Sequence, residues 1–166
     1  MSAHPVGSDY RVARLVAGDV AVAKKLLSIM AAVFEEEHDE LGDAYVAGLL
    51  GREQLWLLAA MLGEEIAGGL TAHTLPMTRS ESSEIFIYDI AVRVDHQRKG
   101  VGRLLMSHLR SLAREAGIHD IFVPADDEDA HALEFYRALG GVASSVTFFT
   151  FARGVLPRRP SVRPPP

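Results

Sequence analysis

The chain has 166 residues, of which 48% are hydrophobic and 23% charged, a composition typical of one soluble globular domain. It has no cysteine, which excludes disulfides, thiolate metal sites and a cysteine nucleophile. Residues 1–151 hold 13 basic and 22 acidic residues, and this net charge of −9 disfavours nucleic acid and suits a cationic substrate, although it can equally serve solubility alone.

Hydrophobic periodicity predicts alternating strands and helices along the chain. Strands are predicted at 10–16, 54–62, 65–75, 83–92, 118–125 and 142–151, and helices at 20–37, 43–51, 100–115 and 129–141. A tight turn at Gly63 and Glu64 makes the middle strands antiparallel neighbours, and the helical crossovers later in the chain permit parallel pairing. The sequence therefore predicts an α/β fold, with a mixed sheet and helices on both faces.

The two ends of the chain lack the pattern of a packed core. The N-terminus MSAHPVGSDYRV has no basic region followed by an apolar one, and no apolar run approaches roughly 18 residues, so we expect a cytoplasmic protein without a membrane span. Residues 152–166 are rich in proline and arginine and are expected to be disordered. We therefore predict one domain over residues 1–151, followed by this tail.

The stretch HQRKGVG, residues 96–102, lies between a strand-like run and a helical one. Glycines at the start of a helix let the backbone approach a phosphate, and the N–H groups and dipole of a helix N-terminus favour anions. Gln97, Arg98, Lys99 and Arg103 add further donors. The spacing matches neither the P-loop nor the dinucleotide fingerprint, so from this stretch alone a plain structural turn is about as well supported.

Three features, taken in chain order, resemble the GCN5-related N-acetyltransferase (GNAT) superfamily: the strand IYDIAV, the pattern QRKGVG four residues beyond its end, and LEFYRALGG about 30 residues later. Within that superfamily the chain most resembles the type I aminoglycoside 3-N-acetyltransferases, on SEIFIYDIAV, DHQRKGVG and the acidic segment before LEFYRALG. The resemblance implies a mostly antiparallel central sheet of about six to seven strands. It also implies acetyl transfer from acetyl-CoA to an amine of an aminoglycoside, with another amine, such as a polyamine or a protein N-terminus or lysine, as the alternative.

The resemblance also implies where acetyl-CoA binds. The loop pattern corresponds to the pyrophosphate site, and the backbone of the strand before it corresponds to the site of the pantetheine arm. The implied acetyl-CoA-binding residues are Ile90, Ala91, Val92, Gln97, Arg98, Lys99, Gly100, Val101, Gly102 and Arg103.

Three residues are candidates for catalysis. The resemblance implies that Tyr136 is the acid for the leaving thiolate, where periodicity alone favours a core tyrosine. Strand alternation puts Asp89 on one face with Ile85 and Ile87, so it is either a base or cationic anchor for the substrate, or a structural partner. Glu84, a glutamate base in several relatives, falls on the opposite face unless a bulge realigns the strand.

Further acidic residues are candidates for binding a cationic aminoglycoside. They are Glu37, at the predicted end of the first helix, and Asp126, Asp127 and Glu128, just past a strand end; all four can also be plain solvated acids. The histidines show no metal-ligand spacing, so no metal is expected. The resemblance also implies a homodimer.

Overall fold

Five strands form one sheet in chain order, with helices on both faces. The computed structural model describes residues 9–151. The strands are β1 (Tyr10–Arg14), β2 (Leu55–Leu62), β3 (Glu65–Pro76), β4 (Ser83–Val92) and β5 (Asp120–Phe122). The helices are α1 (Val20–Val33), α2 (Asp43–Leu50), α3 (Val101–Glu115) and α4 (Ala130–Ala138), and a 3₁₀ turn spans Val94–His96. Strands β1 to β4 pair antiparallel and β5 pairs parallel to β4, so the predicted mixed, mostly antiparallel sheet is confirmed.

Alternating side chains of the central strands supply two hydrophobic cores. In β2, Trp56 and Leu58 pack on the face covered by α3, whereas Leu57 and Ala59 pack on the face covered by α1 and α2. Leu105 of α3 and Leu26 of α1 are fully buried on these opposite faces. Burial of one such side chain contributes about 1.5–3 kcal/mol, so the two cores hold α1 and α3 firmly to the sheet.

A bulge interrupts β4 just before its carboxyl end. Thr71 of β3 lies opposite Asp89, but the next residue, Ala72, lies opposite Ile87, so Tyr88 is the extra residue. The bulge shifts the alternation of the strand: Ile87 before it and Ile90 after it pack in the same core, on the α3 face. The predicted placement of Asp89 on the face of Ile85 and Ile87 is therefore wrong, because a two-residue alternation does not allow for the inserted residue.

Strands β4 and β5 pair only over a short stretch. Glu84 to Phe86 lie opposite Asp120 to Phe122, and beyond Phe86 the β5-facing edge of β4 has no strand neighbour within residues 9–151. An edge of this kind presents backbone N–H and C=O groups that an extended ligand can pair with.

Two predictions of secondary structure need correction. Residues 142–151 are not a strand, so the described part of the chain has five strands rather than six to seven. Helix α1 ends at Val33 rather than Glu37, because Glu35 has φ +57° and the N–H of Glu36 bonds the carbonyl of Ala31 in a C-terminal capping turn. The predicted disorder of 152–166 lies outside the described residues. No helix within 9–151 is long and apolar enough to cross a membrane.

Candidate active site

The loop between β4 and α3 ends in a glycine with a left-handed backbone. Gly100 is the N-cap of α3 with φ +82°, a conformation that glycine adopts without the steric cost of a side chain. The first N–H that bonds back to it is that of Leu104, so the N–H groups of Val101, Gly102 and Arg103 have no intrahelical acceptor. Together with the helix dipole, these donors give this end of α3 the physical features of an anion site.

A groove of about 490 Å³ separates this loop from α4. Its loop side includes Gln97, Arg98 and residues 100–103, and Val92 joins it from the end of β4. The structure thus brings most of the predicted loop residues together along one groove. Lys99 is exposed and does not line it.

The opposite wall of this groove was not predicted from the sequence. It consists of one face of α4, with His131, Glu134, Phe135 and Ala138. The spacing of these residues by three and four is that of a single helix face, which is the signal the sequence did contain. This spacing shows that the four residues share a helix face, but it does not show which other element that face lies against. The groove wall could therefore not be predicted from the sequence.

The end of β4 is connected to the loop by a side-chain hydrogen bond. Nε2 of Gln97 donates to the carbonyl oxygen of Val92 at 3.0 Å. The side chains of Ile90, Ala91 and Val92 are buried in the two cores, so only their backbone groups can face a ligand at the open edge of the strand. These three residues lie where β5 no longer pairs with β4.

Tyr136 on α4 has a buried hydroxyl group. Its ring packs against the core on the α3 face, and its oxygen has no hydrogen-bond partner within the described residues. Burial raises the pKa of Tyr136 well above its usual value, and the negative charges of Asp129 and Asp89 raise it further. The phenol is therefore protonated at neutral pH, and it can donate a proton to a ligand but cannot act as a base.

Asp89 and Glu84 are both half-buried, and they lie at opposite ends of β4. The hydroxyl of Thr71 donates to Oδ2 of Asp89 at 3.5 Å, and the charge of Asp89 acts on the pKa of Tyr136. Glu84 lies opposite Asp120 at the start of β4, five residues and roughly 15 Å along the strand from Asp89. Of these two carboxylates, Asp89 is the one whose charge raises the pKa of Tyr136.

The other predicted acids lie on exposed segments. Oδ1 of Asp126 accepts from the N–H of Glu128 at 3.0 Å, which shapes the loop before α4, and Asp127 and Glu128 are exposed. Asp129 caps α4 by accepting from the N–H of Ala132. Glu37 lies on the exposed segment after α1.

A buried histidine directly before the loop was not among the predicted site residues. His96 is 4% exposed, its Nδ1 lies 2.8 Å from the hydroxyl of Tyr10, and its Nε2 lies 3.4 Å from Oε1 of Glu65. Arg93 donates to Glu65 at 2.6 Å and to Asp95 at 2.7 Å, so one guanidinium pairs with both carboxylates. This cluster joins three elements at the base of the loop, and contacts across such sequence distances leave no local pattern.

Comparison with protein families gives a match over most of the chain. The family model described as acetyltransferase (GNAT) family matches residues 23–140. This range includes β4, the loop, α3, the groove and Tyr136.

Two similar solved structures are aminoglycoside acetyltransferases from uncultured soil metagenomic samples. One, meta-AAC0020 in complex with sisomicin, is 28% identical with a TM-score of 0.85, over 90% of this chain and 99% of that chain. The other, HMB0005, is 34% identical with a TM-score of 0.83, over 87% of this chain and 99% of that chain.

Two curated relatives match over shorter stretches. Streptothricin acetyltransferase of Streptomyces lavendulae is 36% identical over 36% of this chain and 31% of its own length. The [ribosomal protein bS18]-alanine N-acetyltransferase of Escherichia coli K12 is 31% identical over 39% of this chain and 43% of its own length. The matches thus span less than half of either relative.

Proposed function

Because the chain belongs to the acetyltransferase (GNAT) family, we propose that it transfers an acetyl group from acetyl-CoA to an amine of an aminoglycoside, at the 3-amino position. The observation that carries the chemistry is the buried, unpartnered hydroxyl of Tyr136, on the helix that walls the groove. The choice of acceptor is supported by the likeness to two aminoglycoside acetyltransferases over 87–90% of the chain.

The groove and the open edge of β4 fit a long ligand with an anionic middle part. The helix N-terminus at Val101 to Arg103 and the cation of Arg98 would hold the pyrophosphate of acetyl-CoA. The backbone of Ile90 to Val92 would pair with the amides of the pantetheine arm. A backbone N–H there would also stabilise the oxyanion that develops on the acetyl carbonyl. Acetyl-CoA supplies the activated thioester.

Tyr136 is the proposed acid of the reaction. Acetyl transfer to an amine breaks a C–S bond, and the leaving thiolate needs a proton. Because burial raises the pKa of Tyr136, the phenol carries its proton throughout the neutral range and is available as the donor. A hydroxyl buried without a partner is costly, so a ligand atom that accepts from it would also remove that cost.

Asp89 is the proposed anchor or base for the acceptor amine. An aminoglycoside amine is an ammonium at neutral pH and must lose a proton before it can attack. The charge of Asp89 acts on the pKa of Tyr136, which supports placing the ammonium and the proposed acid in the same site. Glu84, Glu37, Asp126, Asp127 and Glu128 would attract the other ammonium groups, in keeping with the net charge of −9 of residues 1–151.

The similarity to a ribosomal-protein alanine acetyltransferase keeps a protein N-terminus as the second candidate acceptor. A thiol-release assay with acetyl-CoA separates the two. The panel consists of gentamicin, sisomicin, spermidine and a peptide with an N-terminal alanine, and the product of any active aminoglycoside is located by NMR. We expect turnover with the aminoglycosides and acetylation at the 3-amino group. Turnover confined to the peptide or to spermidine would refute the proposed acceptor and leave the acetyltransferase chemistry in place.

A further inference from the structure

Four aromatic side chains form a continuous row across strands β3, β4 and β5. The rings of His73 and Tyr88 meet edge to face with centroids 6.0 Å apart, and Tyr88 meets Phe86 in the same way at 5.8 Å. Phe86 in turn stacks on Phe122 at 5.3 Å. These four residues are the aromatic row. Tyr88 is 46% exposed and Phe122 is 43% exposed, so a ligand can reach the row from solvent.

The aromatic row lies on the same face of the sheet as Asp89. Asp89 pairs with Thr71, and Thr71 pairs with Leu57, which packs in the core on the face covered by α1 and α2. His73 is two residues from Thr71 on β3 and therefore points to this face as well. Phe86 lies directly opposite His73, and directly paired residues share a face. The row is thus about 7 Å along the sheet from the proposed anchor of the acceptor amine.

The bulge in β4 is what places Asp89 and the aromatic row on one face. In a regular strand Asp89 and Phe86 would point to opposite faces, because they are three residues apart. The extra residue, Tyr88, turns Asp89 to the face of Phe86, and its own ring contacts both Phe86 and His73. Bulges are over-represented next to active sites, where they redirect a side chain in this way.

Negative charge also lies on the far side of the aromatic row. Glu84 is two residues before Phe86 on β4, and Asp120 lies opposite Glu84 on β5. Ile121, which follows Asp120, packs in the other core, so Asp120 and Glu84 share the face of the row. Neither carboxylate forms a salt bridge within residues 9–151. Both can therefore attract a cation that lies on the row.

Aromatic rings flanked by carboxylates are suited to an organic cation that has an apolar surface of its own. An ammonium within about 6 Å of a ring centroid is attracted by the ring, and the carboxylates add a longer-range attraction. An amino sugar combines both properties, because its ring carbons can lie against an aromatic surface and its amines are charged at neutral pH. In an aminoglycoside, such sugars are attached to the 2-deoxystreptamine ring that carries the 3-amino group.

We propose that the aromatic row is a second subsite for the acceptor, which binds an amino-sugar ring attached to the ring that is acetylated. Asp89 holds the amine of the reacting ring, and the neighbouring ring lies on Tyr88 and Phe86. The charges of Glu84 and Asp120 attract the ammonium groups of that neighbouring ring. This inference rests on the proposed function, since it extends the same acceptor site. The row would make the enzyme prefer acceptors of two or more rings to one-ring amines.

The first experiment compares sisomicin, which carries amino sugars on 2-deoxystreptamine, with 2-deoxystreptamine alone. Tyr88→Leu removes one ring of the row at an exposed position. We expect kcat/KM for sisomicin to fall about three- to thirtyfold, mostly through KM, and kcat/KM for 2-deoxystreptamine to change less than about twofold. Tyr88→Phe keeps the ring and should match the wild type with both acceptors. Equal losses with both acceptors in Tyr88→Leu, or no loss with sisomicin, would overturn the proposal.

The second experiment measures the binding of sisomicin by calorimetry, in the wild type, Tyr88→Leu and Tyr88→Phe. Binding that weakens in Tyr88→Leu but not in Tyr88→Phe supports the subsite, even if no acetylated product forms. The absence of product would then refute the proposed function alone. Acetylation of sisomicin together with binding that is unchanged in Tyr88→Leu would refute the subsite alone, and absence of both binding and turnover would refute both.

Light scattering on the same three proteins tests the other possible occupant of the aromatic row, a second copy of this chain. We expect the same mass in solution for the wild type, Tyr88→Leu and Tyr88→Phe. A lower mass in Tyr88→Leu would assign the row to a contact between copies, and the proposed subsite would be wrong.

Discussion

The hydroxyl of Tyr10 and Nδ1 of His96 lie 2.8 Å apart, and this contact joins the first strand to the residue directly before the loop 97–103. The two rings meet edge to face, with centroids 5.7 Å apart. On the other side of the imidazole, Nε2 faces Glu65 at 3.4 Å. The start of the proposed acetyl-CoA loop is thus held from two strands at once, through a side chain that also lines the groove.

Replacing Tyr10 with phenylalanine should loosen this anchor. The ring contact remains, but the hydrogen bond to His96 is lost, which corresponds to about 0.5–1.5 kcal/mol. We expect the Kd for acetyl-CoA, measured by calorimetry, to rise about three- to tenfold, with kcat within about twofold of the wild type. Tyr45→Phe, at an exposed tyrosine of α2, is the matched control and should change neither value. An unchanged affinity in Tyr10→Phe would show that the anchor does not govern the loop.

Glu65 should make the stability of the protein depend on pH in the acid range. Hydrogen bonds from His96 and then Arg93 lower the pKa of Glu65 below its usual value of 4.5. A carboxylate with a lowered pKa in the folded state contributes stability above its usual pKa, and this contribution is lost as the pH falls through the folded value. Glu65→Gln should therefore be less stable than the wild type at pH 7.

The difference between Glu65→Gln and the wild type should shrink as the pH falls from 4.5 to 3, which urea unfolding at several pH values would measure. Glu64→Gln, at the adjacent exposed position, should follow the wild-type curve. Parallel curves for Glu65→Gln and the wild type would mean that the ion pairs of Glu65 do not contribute to folding.

The features that the sequence predicted well are those determined by neighbouring residues. The order of strand, loop, glycine and helix around Gly100 depends on local chemistry. The face of Asp89 could not be predicted, because a bulge at Tyr88 depends on how β4 pairs with β3. The cluster at His96 joins residues up to 86 positions apart and leaves no periodic signal.

The failed prediction of a strand at 142–151 has a different cause. Composition and alternation indicate that a segment can form a strand, but a strand also requires a partner with free backbone groups. Within residues 9–151 no strand pairs with this segment, which is exposed and has no regular secondary structure.

Asp89→Asn should damage the reaction of the acceptor amine. The substitution keeps the size of the side chain and the bond from Thr71, but it removes the negative charge and the ability to accept a proton. General bases contribute typically 10²–10⁴-fold, so kcat/KM for the aminoglycoside should fall at least about 100-fold. The affinity for acetyl-CoA, measured separately, should be unchanged.

Glu84→Gln is the comparison for Asp89→Asn, since it removes a charge at the far end of the same strand. We expect kcat/KM to fall less than about tenfold in Glu84→Gln, mostly through a higher KM. The reason is that Glu84 would attract the cationic substrate only from a distance. If kcat/KM falls more in Glu84→Gln than in Asp89→Asn, then Glu84 rather than Asp89 is the anchor or base for the acceptor amine.

Gly100→Ala should weaken acetyl-CoA binding through the backbone alone. An added Cβ meets no atom within 4 Å, but φ +82° is a left-handed conformation that costs a residue with a side chain about 1–2 kcal/mol. Gly117→Ala is a close control, because Gly117 at the other end of α3 has φ +71° and is equally open. Both variants should lose similar stability in urea unfolding. Only Gly100→Ala should raise the Kd for acetyl-CoA, by about tenfold. If Gly100→Ala and Gly117→Ala bind acetyl-CoA equally well, the loop backbone does not take part in binding.

Tyr136→Phe should make the protein more stable and the enzyme slower. The hydroxyl is buried without a partner, which costs roughly 1–3 kcal/mol, so its removal should raise the free energy of unfolding by about 1 kcal/mol. Loss of the proton donor should lower kcat about 10²-fold or more, with little change in the Kd for acetyl-CoA. Tyr45→Phe should leave both kcat and stability unchanged, since its hydroxyl is exposed.

The alkaline range gives a second measurement on Tyr136→Phe. Burial raises the pKa of Tyr136 above its usual value of 10, so above about pH 10 the unfolded chain loses this proton while the folded chain keeps it. Wild-type stability should therefore fall as the pH rises above 10, and the advantage of Tyr136→Phe should widen between pH 9 and 11. A constant difference would mean that Tyr136 titrates normally, and an unchanged kcat would exclude it as the acid.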